Sequence, residues 1–288
     1  MQGTSASPQR LNAAQRSAHI RQVVLAKGVE LRQRYPVLNH QDALGAGILA
    51  FALAGMIGSA ALYIEGHMAW WVCLLLNAFF ASLTHELEHD LIHSMYFRKQ
   101  RLPHNLMMGL VWLARPSTIN PWIRRHLHLN HHKVSGSETD MEERAITNGE
   151  PWGFARLLMI GDNMMSSFIR MLRARTWAQK FSIIHRTLKV YAPLALMHWG
   201  AWYVFLGFHA ANGIAHLLGA PIEWSATTLS VMQVIDIAAV VIIGPNVLRT
   251  FCLHFVSSNM HYYGDVEPGN VIQQTQVLNP WWMWPMQA

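Results

Sequence analysis

Charge is what this chain has least of: 13% of its 288 residues are Asp, Glu, Lys or Arg, while 52% are hydrophobic. An ordinary soluble domain carries about 25% charged residues, so the composition argues against a water-filled surroundings on all sides. Cysteine is nearly absent. Cys73 and Cys252 both sit in apolar runs, which excludes a disulfide framework and a thiolate metal cage. There is no C-x-x-C-H and no G-x-G-x-x-G, so no haem-attachment, dinucleotide or flavin motif supplies electrons from within the chain. No linker-like low-complexity stretch and no internal repeat divides the sequence. The first forty residues are polar, dotted with arginine, and carry no signal-peptide pattern.

What the chain does have is long apolar runs. Residues 43–64 contain no charge and meet the length of about 20 residues that a membrane span needs. After a Glu65-Gly66-His67 turn, residues 68–84 form a second run that opens on the interfacial pair Trp70-Trp71. Two more spans are expected at about 190–211 and 226–246, the last ending at Pro245. Residues 105–113 are apolar but too short to cross, and read as a re-entrant or surface piece. Residues 11–34 read as a basic helix lying on the membrane, stopped by Pro36. Between Pro151 and Lys189, aromatics and methionines alternate with arginines and lysines, the mixture of helices in the headgroup plane.

All 22 Lys and Arg fall in residues 1–42, in 84–189, or at Arg249, and none in the connections 65–67 and 212–225. The positive-inside rule then puts both termini and the polar middle of the chain in the cytoplasm. The fold expected is all-α: an integral, multi-pass membrane protein of about four transmembrane helices with a cytoplasmic helical cap. Residues 1–42 form an N-terminal cytoplasmic segment and 43–288 one membrane domain. The net charge of +6 is thereby assigned to a membrane surface, and no nucleic acid is implied.

Seventeen histidines are the other excess. His85 and His89 are four apart at the end of the second apolar run, so a helix sets them on one face. About forty residues later comes His128-Leu129-Asn130-His131-His132. Neutral imidazoles suit zinc and iron. His85-Glu86-Leu87-Glu88-His89 by itself matches the H-E-x-x-H of a zinc metalloprotease. A catalytic zinc needs three protein ligands, and five imidazoles on one side of a membrane suggest more than one metal. A histidine-lined metal carrier is a third reading, disfavoured because the clusters lie outside the spans. One Glu-x-x-His match (Glu86 to His89) has no second copy, which disfavours the carboxylate-bridged di-iron bundle.

These residues resemble the membrane-bound fatty acid desaturase and hydroxylase superfamily. Its members carry HxxxH or HxxxxH, HxxHH and a later HxxHH box around a non-haem di-iron centre. His85 and His89 match the first box, and His128, His131 and His132 the second. His261 fits a histidine that the family carries after the fourth span, although Asn259 stands two residues before it rather than four. No histidine follows His261, so the expectation is a C-terminally truncated chain or an incomplete site. The resemblance implies iron as cofactor, His85, His89, His128, His131, His132 and His261 as ligands, and O2-dependent desaturation of a fatty acyl or lipid chain. Hydroxylation of an alkane or lipid is the alternative. It also implies an external electron donor of ferredoxin, rubredoxin or cytochrome b5 type.

Glu86, Glu88, Asp90 and Asp140 are candidates to accept hydrogen bonds from ligand imidazoles, and Asn259 joins them as a supporting residue. His93 continues the 85, 89 series, but each four-residue step drifts about 40° round a helix, which assigns it a supporting role. His254 lies seven residues before His261 and would share its face on a helix. His104 reads as surface or interfacial. His198 and Asp236 fall roughly 12 and 15 Å deep in their spans at 1.5 Å per residue, near enough to pair, with Asn77 at a similar level.

Overall fold

A computed structural model describes residues 12–135, 137, 139–147, 149–259 and 280–281. Among these every regular element is helical. Helix α1 (Ala13–Arg34) starts at a reciprocal cap in which Asn12 and Gln15 bond each other's backbone. Pro36 opens a single 3-10 turn (Pro36–Asn39), ending α1 where its missing N–H requires.

Helices α2 (Gln41–Ile64) and α3 (Trp70–Ile92) form the expected hairpin. In an apolar solvent such a pair is held by close packing rather than by water exclusion; Gly55 of α2 permits it, and Gly45 does the same for the segment that follows α3. A Cβ on Gly45 would come within 2.7 Å of the Tyr96 ring, and one on Gly55 would overlap the Phe80 ring. A buried polar contact adds to this, since the Ser59 hydroxyl donates to the Asn77 side-chain carbonyl.

Helix α4 (Arg101–Ala114) absorbs the short apolar run and extends it by one turn, with Pro103 in its first turn, where a missing N–H costs nothing. Its Met107, Met108 and Val111 pack with Leu49, Leu87, Leu91 and Ile92 into the main core. His104 is buried rather than interfacial, its Nδ1 within 3.0 Å of the Tyr96 carbonyl. Then come α5 (Pro121–Val134), α6 (Met141–Ala145), α7 (Phe154–Gly161), α8 (Asn163–Arg173) and α9 (Trp177–Tyr191). Helix α10 (Leu194–Leu217) covers the third expected span.

The fourth does not end at Pro245. Helix α11 (Ala226–Ala238) passes through a π-turn (Ala239–Ile243) directly into α12 (Gly244–Ser257). Proline cannot donate to the carbonyl four residues back, here that of Val241. The wider turn accommodates the ring, and Asn77 Nδ2 donates to the Val241 carbonyl at 2.7 Å. Asn246 Nδ2 likewise donates to the Ile242 and Ala114 carbonyls. Helix-breaking sequence is thus overridden by amides that satisfy the freed acceptors.

Among the described residues two helices are long and apolar enough to cross a membrane, Gln41–Ile64 and Ala226–Ser257. Asp236 is paired, but not with His198: its carboxylate lies 2.8 Å from His209 Nε2 on α10. His209 and His198 lie on nearly the same face of α10, since 11 residues turn about 20° beyond three full turns, but about 16 Å apart along it. Because the last helix runs on to Ser257, Asp236 lies deeper than a count from Pro245 places it, at the level of His209. His198 is buried, and neither ring nitrogen has a hydrogen-bond partner among the described residues.

Candidate metal centre

The last two turns of α3 and the whole of α5 meet at the polar end of the hairpin. Helix α5 is started by Asn120, whose side-chain oxygen accepts from the N–H groups of Trp122 and Ile123, with Pro121 in the first position. This fixes the register that brings His128, His131 and His132 against α3. Helix α6 is started by Asp140 in the same way, its Oδ1 accepting from Glu142 and Glu143 N–H at 3.2 Å.

Three ring nitrogens converge. Nε2 of His93 lies 3.1 Å from Nε2 of His128, Nε2 of His132 lies 3.1 Å from that of His128, and 3.2 Å from that of His93. The His89 ring stands edge-on to His128 with centroids 4.9 Å apart. Ligand atoms of His89, His93, His128 and His132 all fall within 4.8 Å of one another.

An imidazole N–H lies in the ring plane and can point at one neighbour only, so a triangle of three nitrogens cannot be closed by N–H···N bonds. His128 is further constrained: its Nδ1 is 2.9 Å from a Glu142 carboxylate oxygen. That carboxylate can only accept, so Nδ1 donates, and in the neutral ring Nε2 then turns a lone pair inward. Sides of 3.1–3.2 Å match three nitrogens each about 2.1 Å from a common cation, at about 95–100° to one another. The donor set therefore fits a borderline divalent metal, iron or zinc, on chemistry as well as on size.

His131, the middle histidine of the second motif, donates from Nδ1 to Asp140 Oδ2 at 2.7 Å, with Glu143 3.9 Å away. Asp140 thus caps α6 with one oxygen and orients an imidazole with the other, the carboxylate–histidine arrangement that supports metal ligands. His131, Asp140 and Glu143 form a second, fully buried group of potential ligands.

The electrostatics favour neutral donors at His93 and His132. Burial and the neighbouring imidazoles push His132 down to about 4, and the same two causes lower His93. For His131, burial opposes the charged form but the bond to Asp140 and the nearby carboxylates outweigh it, and the net shift is upward. Burial would raise Glu142, yet the bond from His128 and the Arg124 charge hold it down to about 2.

Of the three α3 histidines, the cluster takes in the later two. His85, expected as a ligand, is outside the cluster; its Nδ1 accepts from Arg115 Nη1 at 3.0 Å. His93, expected to support, is inside it. The reason is positional. His93 caps the C-terminus of α3, where α5 crosses, while His85 is two turns deeper against α4's end.

Glu88 also differs from expectation, because it accepts from guanidinium groups rather than imidazole. The Glu88 carboxylate is paired with Arg115, both side chains essentially inaccessible, and with Arg124 at 3.1 Å. A buried carboxylate requires such a cation. Asp90 accepts from the Tyr96 hydroxyl at 2.9 Å, while His89 Nδ1 stays 3.6 Å away. Glu86 is exposed. Asn259 Nδ2 donates to the Phe255 carbonyl at the end of α12. His254 Nδ1 lies 3.2 Å from the Ile160 carbonyl, and His261 lies outside the described residues.

Sequence reasoning missed Arg115, Arg124, Glu142 and Glu143. Arg124 bridges the two halves of the site, since its Nε lies 3.5 Å from Glu142 while its Nη1 holds Glu88. The visible signal was an acidic triplet broken by one methionine, Asp140-Met141-Glu142-Glu143, eight residues on from the second histidine motif. The zinc-protease reading needs His85 and His89 on one metal; here His89 lies in the cluster and His85 outside it, against Arg115.

Comparison with protein families agrees: the profile described as fatty acid desaturase matches residues 65–286. No curated protein and no solved structure matches the chain.

Proposed function

The chain belongs to the fatty acid desaturase family, and on that premise we propose that it oxidises an unactivated methylene of a fatty acyl or related lipid chain with O2, at two non-haem irons. The reaction is desaturation: O2, two electrons and two protons from outside take two hydrogens from adjacent carbons, leaving a double bond and two waters. The convergence of the His93, His128 and His132 Nε2 atoms carries this reading.

The residues assigned to hold iron are His89, His93, His128 and His132, joined by His131 and by His261. Bound iron would supply O2 activation and hydrogen abstraction. The chain's own part is orientation and charge. Glu142 takes the His128 Nδ1 proton's hydrogen bond and so leaves Nε2 free to ligate. Asp140 does the same service for His131. Arg124 ties Glu142 to the buried Glu88–Arg115 pair and so locks α6 onto α3.

Helices α2, α3, α10 and α11–α12 are read as four spans with the histidines on the cytoplasmic side, a reading supported by the absence of Lys and Arg from 65–67 and 212–225. The substrate enters from the bilayer. Electrons come from a small external carrier, for which the basic cytoplasmic face suits an acidic partner.

The test is product analysis. The full chain, iron-loaded in vesicles and given a chemical or protein reductant, O2 and acyl lipid, should yield lipid lighter by two hydrogens, and His128→Ala should yield none. Lipid heavier by one oxygen would replace desaturation with hydroxylation. Stoichiometric zinc with no iron in purified protein would refute both.

A further inference from the structure

Helix α9 has no role in the metal site, and its surface is odd for an idle one. Trp177, Phe181, Ile184 and Leu188 recur at spacings of four, three and four, which is one stripe of a helix. All four are exposed, Trp177 at 74% and Phe181 at 66%. No residue of α9 is buried. Along the stripe, Trp177, Phe181 and Ile184 join Met171 of α8 and Lys180 around an apolar notch of about 150 Å³. A hydrocarbon-lined space of that size takes a group as large as benzene, or about five methylenes.

Charge completes the pattern. From Asn163 to Tyr191 there are six Lys and Arg and no carboxylate. Arg173 is paired with Glu150, and Arg170 donates to the Arg144 carbonyl. Lys180 has no carboxylate partner among the described residues; its ammonium lies 4.9 Å from the Trp177 ring centre. At 100° per residue, Lys180 and Lys189 fall on opposite flanks of the apolar stripe, the positions from which a lysine stem lies along hydrocarbon with its ammonium at the interface. Only two residues separate the end of α9 at Tyr191 from the start of α10 at Leu194, so α9 is tethered at the mouth of a proposed span.

We propose that this face of α9 is a binding site for an anionic phospholipid, one acyl chain in the notch beside Trp177 and Phe181 and the headgroup phosphate against Lys180, while Lys189 draws anionic lipid to the opposite flank. The apolar notch selects a lipid over free phosphate, and the uncompensated cations select an anionic lipid over a zwitterionic one. The site rests on the membrane reading above and is independent of the histidines.

The test uses the full chain in phosphatidylcholine vesicles with a trace of spin-labelled phosphatidylglycerol or spin-labelled phosphatidylcholine, reading the motionally restricted fraction. A preference for phosphatidylglycerol is expected, about fivefold for each lysine engaged. Lys180→Gln with Lys189→Gln should abolish it, and Phe181→Ser should lower retention of both lipids. Lys27→Gln, at a lysine already paired with Glu30 on α1, should leave it intact. Equal retention of the two lipids, an unchanged preference in the double variant, or displacement by inorganic phosphate would each overturn the lipid site alone. Failure of the chain to insert into vesicles would overturn the membrane reading on which the site rests.

Discussion

Replacing Glu88 by Gln removes the counter-charge of two arginines at once. The Glu88 and Arg115 side chains are 1% and 0% exposed, and Arg124 is 15% exposed. Breaking a buried ion pair from one side costs about 3–5 kcal/mol, because the remaining charge is stranded away from water. Arg115 is the stranded group: its other charged-face contact is neutral His85, whereas Arg124 keeps Glu142. At about 2 °C per kcal/mol for a large domain, Glu88→Gln should lower the apparent melting temperature in detergent by about 6–10 °C at fixed scan rate. The double variant Glu88→Leu, Arg115→Met should recover much of that loss, since an apolar pair of similar volume needs no partner. A Glu88→Gln shift below about 2 °C, or a double variant worse than the single, would refute the assignment of this pair as the clamp between α3 and the loop before α5.

Asn77→Ala should destabilise the π-turn by about 1–3 kcal/mol, because it leaves the Val241 carbonyl without its donor; faster amide exchange confined to 239–246 is the readout. Asp140→Asn should weaken metal binding about 10–100-fold through the loss of the His131 acceptor, measured by competition with a chelator. For Glu142 the folded value is held down to about 2 from an ordinary 4.5. Its ionised form therefore adds stability above about pH 4.5, and that contribution is lost as pH falls toward 2. The wild type's advantage over Glu142→Gln in chemical denaturation should accordingly be full at pH 6 and shrink on acidification below about 4.5; an advantage that grew on acidification would contradict the sign.

Much of this architecture was legible in the sequence because it follows from local rules. The α2–α3 hairpin is written in two uncharged runs around Glu65-Gly66-His67, and the second histidine motif announces itself by spacing. Features that depend on how helices cross were not. His85, His89 and His93 form one series on one helix, and their sequence does not say which end meets α5; the crossing at the α3 C-terminus selects the later pair. Pro245 reads as a terminator because only the lost bond is local, while the compensating amide of Asn77 comes from another helix. Asp236 finds His209 rather than His198 as a consequence of the same terminator: with the helix running on to Ser257, Asp236 lies deeper than a count from Pro245 places it.

The choice between the two α3 pairs is where the account is most exposed. Iron bound per chain, measured by elemental analysis on the intact membrane protein, should fall sharply in His93→Ala and stay near the wild-type value in His85→Ala. Loss of iron in His85→Ala with retention in His93→Ala would contradict the convergence of His93, His128 and His132 on a common metal.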